Sequence, residues 1–306
     1  MSKTELSIKG LQMDKMLKNP YTIALFVGPA FLLFLFVIPL PVIQTLYYSF
    51  TEWNVISDPT FIGFKNYVQL ITRDPNFLTA VSNTFLFAIG SFLLQIPFAF
   101  FVANLLNNLK KMAGLFRSIF FFPCLLSATA VSLLWRFIYH PNIGLLNAAL
   151  HALSLDRFIT SWLSNPHTAL GAVIVAVSWQ WFGYHMVIFM TGMSSIPKEL
   201  FESVTLEGAS SWQTVRYITY PLVKPFIKVS TILITASSIK AFDSIYVLTG
   251  GGPNNASTVL ALQMYNRAFR QMKYGYGSTI SVLLMVTTVA FVLILQKIMR
   301  SEEVVY

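Results

Sequence analysis

Charge and cysteine are scarce in this sequence. Charged residues make up 11% of the 306 residues, with 12 Asp and Glu against 21 Lys and Arg. Soluble domains carry about 25% charged residues, which keep the folded surface dispersed in water. The apolar share is 55% and includes 27 Phe and 6 Trp, which is more than a soluble chain of this length can bury. The composition therefore predicts an integral membrane protein.

Other missing features exclude further classes of protein. The single cysteine, Cys124, rules out a disulfide framework and a cysteine-based zinc site. The four histidines show no metal-ligand spacing, and no carboxylate pair shares a helix face inside an apolar run, so the sequence lacks a catalytic constellation. No G-x-x-x-x-G-K-[ST] phosphate-binding loop occurs. The sparse basic residues lie between apolar runs, where they set topology rather than bind nucleic acid. We predict no metal and no cofactor in this chain.

Charge-free apolar runs locate the membrane segments. Each supplies the ~20 apolar residues that cross ~30 Å of hydrocarbon, and their length favours helices over barrel strands. The fifth run is the weakest, because Lys228, Lys240 and Asp243 interrupt it. We predict an all-α membrane domain over 21–300, between cytoplasmic tails at 1–20 and 301–306. Its six spans are predicted at 21–45, 80–106, 117–139, 169–190, 226–248 and 275–297.

The lysines before the first span resemble the start of a signal peptide. The apolar run that follows is too long, and no small-residue cleavage site comes after it, so we interpret it as an uncleaved first span. Six spans place both termini on one side. Most Lys and Arg residues fall on that side, which predicts that both termini are cytoplasmic. The basic triplet Arg267, Arg270 and Lys273 falls on the outer side and runs against this bias.

The loop over 193–224, between spans four and five, concentrates charge. Pro197 is suited to the first turn of a helix, and Gly208 to a left-handed turn that ends it. Ser210 can cap a second short helix, and Pro221 marks the return to the membrane. The pattern predicts two short helices joined by a turn at the inner membrane surface. A polar connector that happens to be helical is the alternative.

This loop resembles the EAA loop of permease subunits from binding-protein-dependent ABC importers. The likeness is carried by Glu202-Ser-Val-Thr-Leu-Glu207-Gly208-Ala209 followed by Ile218-Thr-Tyr-Pro221. It implies a coupling helix seated in a separate ATPase subunit, with Glu202 paired to a basic residue there and Gly208 setting the bend. The sequence departs from the family pattern at Ser203-Val204, Glu207 and Tyr220. The residues so implied in coupling are Glu202, Ser203, Val204, Glu207, Gly208, Ala209, Ile218 and Pro221.

Further segments are similar to the carbohydrate branch of that family, the maltose-type permeases. These segments are Phe61-Ile-Gly-Phe-Lys-Asn-Tyr67, then Pro123, Ser127, Trp135, Gly144 and Asn147 around the third span, and Lys240-Ala-Phe-Asp243 with Thr249-Gly-Gly-Gly-Pro253. The resemblance implies a type I importer permease fold that pairs with a second, related permease. It also implies two ATPase subunits, which hold ATP and Mg, and an extracytoplasmic solute-binding protein.

Polar and aromatic residues inside the spans are candidates for the solute path. Lys240 and Asp243 stand three residues apart, so on a helix they would share a face and neutralise each other. We interpret them either as an internal ion pair or as part of an outer gate. Span four holds an aromatic run with small and polar members, which is unusual for a lipid-facing helix: Trp179, Trp181, Phe182, Gly183, Tyr184 and His185. Aromatic faces stack on sugar rings, and ordinary helix packing is the alternative. By resemblance, the pathway residues are Trp179, Phe182, Gly183, Tyr184, Ser237, Ser238 and Ala241.

The resemblance predicts a permease subunit, not an enzyme, that imports a sugar, with an oligosaccharide as the preferred class. A glycerol-phosphate importer of the same branch stays open. An ion-coupled secondary transporter would need a free acid inside the membrane. Asp243 is the one acid there, and Lys240 is expected to occupy it. A membrane enzyme acting on lipid-linked sugar lacks its acid–base set. The predicted location is the cytoplasmic membrane of a bacterium or archaeon.

Overall fold

The computed structural model describes residues 20–107, 109 and 112–299. The predicted tails, apart from residue 20, lie outside the described residues. Within the described part, five helices are long and apolar enough to cross a membrane, and one bent pair makes a sixth candidate. This confirms the predicted all-α membrane fold. The five are Pro20–Ser49, Pro75–Asn107, Ala169–Ser194, Ser211–Ile239 and Tyr274–Ile298.

The first of these segments consists of two helices, α1 (Pro20–Val37) and α2 (Pro39–Ser49). Pro39 has no N–H to continue the backbone ladder, so α2 starts afresh there. The later crossings are α4 (Pro75–Asn107), α8 (Ala169–Ser194) and α14 (Tyr274–Ile298). Each of these observed helices contains the span predicted for it.

The third predicted span, 117–139, is not one straight helix. Helix α5 (Ala113–Phe121) continues as a 3₁₀ turn to Leu125, and α6 (Ala128–Ile138) then leaves at 100° to it. Ser127 begins α6 as its N-cap, because its Oγ accepts a hydrogen bond from the Ala130 N–H at 3.2 Å. Hydropathy does not detect such a cap, which is why the sequence predicted a single span.

The fifth crossing also differs from its predicted range of 226–248. The helix begins at Ser211 (α10, Ser211–Thr214), passes through a π turn at Val215–Thr219 and ends with α11 (Tyr220–Ile239). Pro221 therefore lies within this continuous helix and does not separate two helices. Lys240 is the C-cap of α11, and a separate short helix, α12 (Asp243–Leu248), follows.

The two ends of the bundle carry different connections. Residues 195–219, including α9 (Lys198–Leu206), lie at what we call the elbow end. The opposite, far end holds a small hairpin, in which Thr51 pairs with Phe61 and Glu52 with Thr60. It also holds the short helices α3 (Lys65–Arg73), α7 (Leu145–Ala152) and α13 (Leu260–Tyr265).

Asparagine side chains fix the far-end loops. The Asn66 amide donates to the Ser49 and Thr51 carbonyls at 3.1 and 2.9 Å. The Asn147 amide donates to the Pro141 and Thr160 carbonyls at 3.0 and 3.1 Å. Both asparagines are buried, and both belong to the family-like segments of the sequence. Their contacts give a structural reason for these residues, since each amide bridges two loop carbonyls.

The core runs along α4 and α8, which pack against each other through the centre of the bundle. Toward the elbow end the buried side chains include Phe182, Phe189 and Val223, and toward the far end they include Val173 and Ile245. Lipid tails are as apolar as leucine, so close packing rather than water exclusion stabilises such contacts. Helix α1 contributes no buried residue to this core.

Candidate functional site

A cavity of about 400 Å³ lies between α8, the end of α11 and α12. It is bounded by aromatic rings and by polar side chains, together with Ala128 at the start of α6 and Ala241. The aromatic members are Phe87, Trp181, Tyr184 and Phe242, and the polar members are Gln95, His185, Ser237, Ser238, Lys240, Asp243 and Ser244. Such a lining, with ring faces beside hydrogen-bonding groups, is typical of a site for a small polar solute.

One face of α8 supplies the aromatic wall. Trp181, Tyr184 and His185 follow the three- and four-residue spacing of a helix face, so they reach the cavity together. The Trp181 and Tyr184 rings meet edge to face, with centroids 6.3 Å apart. His185 is 4% exposed, and its Nδ1 has no hydrogen-bond partner among the described residues. Trp181 and His185 belong to the aromatic run of the fourth span but were not among the pathway residues implied by the resemblance. The three- and four-residue spacing of Tyr184 and His185 from Trp181 was the signal that could have grouped them.

Three of the predicted pathway residues on α8 do not line this cavity. Phe182 is buried between Phe98 and Phe120, at ring distances of 4.7 and 5.8 Å. Gly183 lies against the backbone of Phe120. Trp179 packs edge to face on Trp135 at 5.8 Å. These residues hold α8 against α5 and α6, which is the packing role considered as the alternative.

The predicted residues at and just after the end of α11 all border the cavity. The arrangement of Lys240 and Asp243 differs from the predicted one. Ser237, Ser238, Lys240, Ala241 and Asp243 are among the lining residues. No ion pair joins Lys240 to Asp243, because the helix stops at Ile239 and the two side chains no longer share a helix face. The expected internal neutralisation is therefore wrong for this conformation. Both charged groups instead border the cavity.

A buried ion pair does occur at the far end of the bundle. Asp74 Oδ2 accepts hydrogen bonds from Arg267 Nη2 at 2.7 Å, Tyr276 Oη at 3.0 Å and Gln263 Nε2 at 3.2 Å. The Asp74 side chain is 4% exposed. We call these four residues the far-end cluster. The cluster gives one member of the outer basic triplet, Arg267, a partner that the sequence analysis missed.

At the opposite end, residues 198–213 form an elbow. Helix α9 ends in a Schellman motif, in which the Gly208 N–H bonds the Thr205 carbonyl at 3.1 Å and the Ala209 N–H bonds the Val204 carbonyl at 3.2 Å. Gly208 has a φ of +77°, which glycine adopts without strain. A capping box between Ser210 and Gln213 then starts α10. The elbow is therefore well ordered by its own hydrogen bonds.

The elbow presents one face to the bundle and one away from it. Leu200 and Phe201 pack on the core, whereas Glu202, Ser203 and Glu207 are exposed. Val204, Ala209 and Ile218 are half-buried, and Gly208 and Pro221 are exposed. Leu206, outside the predicted set, is 90% exposed at the end of α9. An exposed apolar side chain beside exposed carboxylates suits a contact with another protein.

Residues 95–301 match the model of one protein family, the inner membrane components of binding-protein-dependent transport systems. This range is well over half of the chain and includes the elbow and all the cavity-lining residues except Phe87. The chain belongs to this family. The resemblance stated from the sequence is thereby confirmed, and this permease is a transport subunit rather than an enzyme.

Relatives support the same assignment, and a solved structure shares the fold. This permease is 38% identical over 280 residues to the probable ABC transporter permease protein PH1215 of Pyrococcus horikoshii, covering 90% of this chain and 94% of that one. It is 34% identical over 266 residues to MsmF of Streptococcus mutans, a multiple sugar-binding transport system permease protein, covering 86% and 90% of the two chains. A crystal structure of a bacterial ABC transporter involved in alginate import contains a chain that matches with a TM-score of 0.82. That chain is 22% identical, and the match covers 94% of this permease and 98% of that chain.

The permease offers no metal centre in its described part. No group of three or more His, Cys, Asp or Glu side chains there is arranged to hold a metal ion. The candidate functional regions are therefore the cavity, where a solute can bind, and the elbow, where another subunit can dock.

Proposed function

We propose that this permease carries a sugar, an oligosaccharide by preference, from an extracytoplasmic solute-binding protein into the cytoplasm. The observation that supports this most directly is the cavity, which combines the Trp181 and Tyr184 rings with hydroxyl and amide groups. Ring faces suit the apolar faces of sugars, and Ser237 and Gln95 suit their hydroxyls. A relative of this permease is named for multiple-sugar transport, which favours the same class of solute.

The energy for import comes, in this proposal, from two ATPase subunits that bind ATP and Mg. The exposed face of the elbow is the contact surface, with Glu202 pairing to a basic residue of the ATPase and Leu206 filling an apolar part of the contact. A second, related permease completes the solute path. ATP-driven closure of the ATPases then moves the elbows of the two permeases together and switches the cavity from inward- to outward-facing.

The proposal includes an orientation in the cytoplasmic membrane. With both termini in the cytoplasm, the elbow lies on the cytoplasmic side together with Lys198, Arg216 and Lys224. The far end then faces the solute-binding protein. On that side Arg267 has a structural role, because it pairs with the buried Asp74 carboxylate.

One uptake experiment distinguishes sugar import from the two alternatives, which are glycerol-phosphate import and ion-coupled secondary transport. The permease is reconstituted in vesicles with its partner permease, its ATPases and its solute-binding protein, and is offered labelled maltose, lactose, raffinose and glycerol 3-phosphate. We expect ATP-dependent accumulation of one or more sugars. Accumulation of glycerol 3-phosphate alone would assign the permease to that solute. Accumulation driven by a proton gradient without the ATPases would make it a secondary transporter and overturn the proposal.

Replacing Trp181 with alanine tests the role of the cavity. We expect a two- to tenfold rise in the solute concentration needed for half-maximal uptake, because a well-placed aromatic ring contributes about 0.5–1.5 kcal/mol. Trp179→Ala is the matched control, since Trp179 lies on the same helix but packs on Trp135 outside the cavity. The two variants should differ in apparent affinity for the sugar. An equal change in both would assign the effect to helix packing instead.

Replacing Glu202 with lysine tests the elbow. We expect uptake to fall more than tenfold while the protein still inserts, because reversing a charge at a subunit contact costs about 2–5 kcal/mol. Co-purification of the ATPase should weaken in parallel.

Gly208→Pro should reduce uptake and ATPase co-purification in the same way, since proline cannot adopt a φ of +77°. Glu52→Lys, the same charge change at the far end, should leave ATPase co-purification intact. Full coupling in both elbow variants would rule out this role.

A further inference from the structure

A second large concavity lies at the elbow end and is separate from the solute cavity. This groove of about 780 Å³ runs between α4 and the segment that joins the elbow to α11. One wall carries Pro97, Phe100 and Phe101, and the other carries Trp212, Val215 and Tyr220. The pathway residues of the cavity are absent from its lining, so transport of the solute leaves this groove without a role.

The walls of the groove are irregular helix. Pro97 lies inside α4 and has no N–H for the carbonyl one turn earlier. The π turn over Val215–Thr219 interrupts the regular ridge of side chains opposite it. The Phe100 and Tyr220 rings meet edge to face at 6.1 Å and form the floor where the walls join. From residue 97 to residue 104 the groove follows α4 for about 10 Å, at 1.5 Å per residue.

The charge in the groove has one sign. Arg216 is the one charged residue among the described residues that line it, and no carboxylate shares the lining. Its guanidinium is exposed and stands 5.9 Å from the Tyr217 ring centroid, and none of the ion pairs among the described residues includes it. Trp212 is also exposed and lies four residues before Arg216, about one helical turn away. An arginine and a tryptophan at the mouth of an apolar groove match the boundary between lipid headgroups and acyl chains.

We propose that this groove binds an anionic phospholipid of the inner leaflet, with its phosphate at Arg216 and an acyl chain along Phe100 and Phe101. The proposal rests on the cytoplasmic placement of the elbow given above. Ser211 and Trp212 belong to the last part of the elbow, so a lipid in the groove also holds the elbow against α4. The lipid therefore acts as a structural part of the region through which the ATPase acts.

The test uses the assembled transporter in phosphatidylcholine nanodiscs that contain a little photoactivatable phosphatidylglycerol, with the reactive group on an acyl chain. We expect labelled peptides from 97–104 and 211–220. Unlabelled phosphatidylglycerol should compete about fivefold better than phosphatidylcholine, the preference expected of one basic residue near the headgroups. Inorganic phosphate should not compete, because it lacks the acyl chain.

Variants at Arg216 decide whether the groove itself selects the lipid. Arg216→Gln should abolish the fivefold preference for phosphatidylglycerol over phosphatidylcholine, so that the two lipids compete equally. Arg216→Lys should keep the preference. Lys297 is an exposed cation in the last turn of α14, outside the groove. Lys297→Gln should therefore also keep the preference for phosphatidylglycerol. Unchanged preference in Arg216→Gln, or equal competition by both lipids in the unaltered transporter, would overturn the proposal.

One further outcome would also overturn it. If the two peptides are labelled in the isolated permease but protected in the assembled transporter, the partner permease occupies the groove in place of lipid. Labelling does not depend on which solute is carried. A failure of this test is therefore distinguishable from a failure of the sugar-import proposal.

Discussion

Asp74→Ala should lower the free energy of unfolding of this permease by about 3–5 kcal/mol, since it leaves the Arg267 guanidinium partly buried without its counter-charge. The same change removes the acceptor of the Gln263 and Tyr276 hydrogen bonds. Stability is measured as the melting temperature of the detergent-purified protein and as the midpoint of its unfolding by added SDS. Both should fall clearly.

The exposed ion pair between His151 and Asp156 provides the control for this experiment. Their side chains are 77% and 61% exposed, and the hydrogen bond and charge of Asp156 raise the pKa of His151. Asp156→Ala should change stability little, because exposed pairs contribute little. The double variant Asp74→Leu/Arg267→Met should recover part of the loss, since no charge is then left buried. Equal losses in Asp74→Ala and Asp156→Ala would contradict the assignment of the far-end cluster as a structural anchor.

Gly183→Ala is expected to have the second-largest effect on stability, because it forces α8 away from α5. A Cβ atom on Gly183 would lie 1.9 Å from the carbonyl oxygen of Phe120, so backbone would have to move. Overpacking of this kind costs about 1–3 kcal/mol. We expect a lower melting temperature and a smaller yield of folded protein. Size-exclusion profiles of the two proteins after heating measure both.

Gly171→Ala is the matched control for this variant. Gly171 lies twelve residues earlier on the same helix, and nothing is within 4 Å of the Cβ that alanine would add. Alanine is the better helix former by about 1 kcal/mol, so stability should be unchanged or slightly higher. If both variants lose stability to the same extent, the close approach of α8 to α5 is not what makes Gly183 necessary.

The sequence predicted the helical crossings well where hydropathy alone determines them. Spans such as 80–106 and 275–297 lie inside observed helices. It failed where polar residues end helices inside an apolar run. Ser127 caps α6, and Lys240 ends α11. Both residues stand in the segments that resemble the family, so their positions were visible but their effect on the backbone was not.

The solute cavity shows a similar division between what was predicted and what was not. Ser237, Ser238 and Ala241 line the same cavity as Tyr184, and the resemblance had indicated both segments. The pathway residues on α8 came from the resemblance and not from helical spacing, which is why they included Phe182 and Gly183 but not Trp181. The pairing of Asp74 with Arg267 joins residues that are 193 positions apart, and no local pattern encodes such a contact.

The two interrupted helices have a consequence for how solute selectivity can change. Helix α12 packs on α6, and the breaks that precede these helices both reach the cavity, through Ala128 on one side and Ala241 on the other. Irregular backbone at membrane depth is tolerated where it faces such an interior space. Part of the cavity wall is therefore set by where the two helices begin, and not by the lining side chains alone. We expect a substitution at a lining side chain to change which solute is preferred while this part of the wall stays in place.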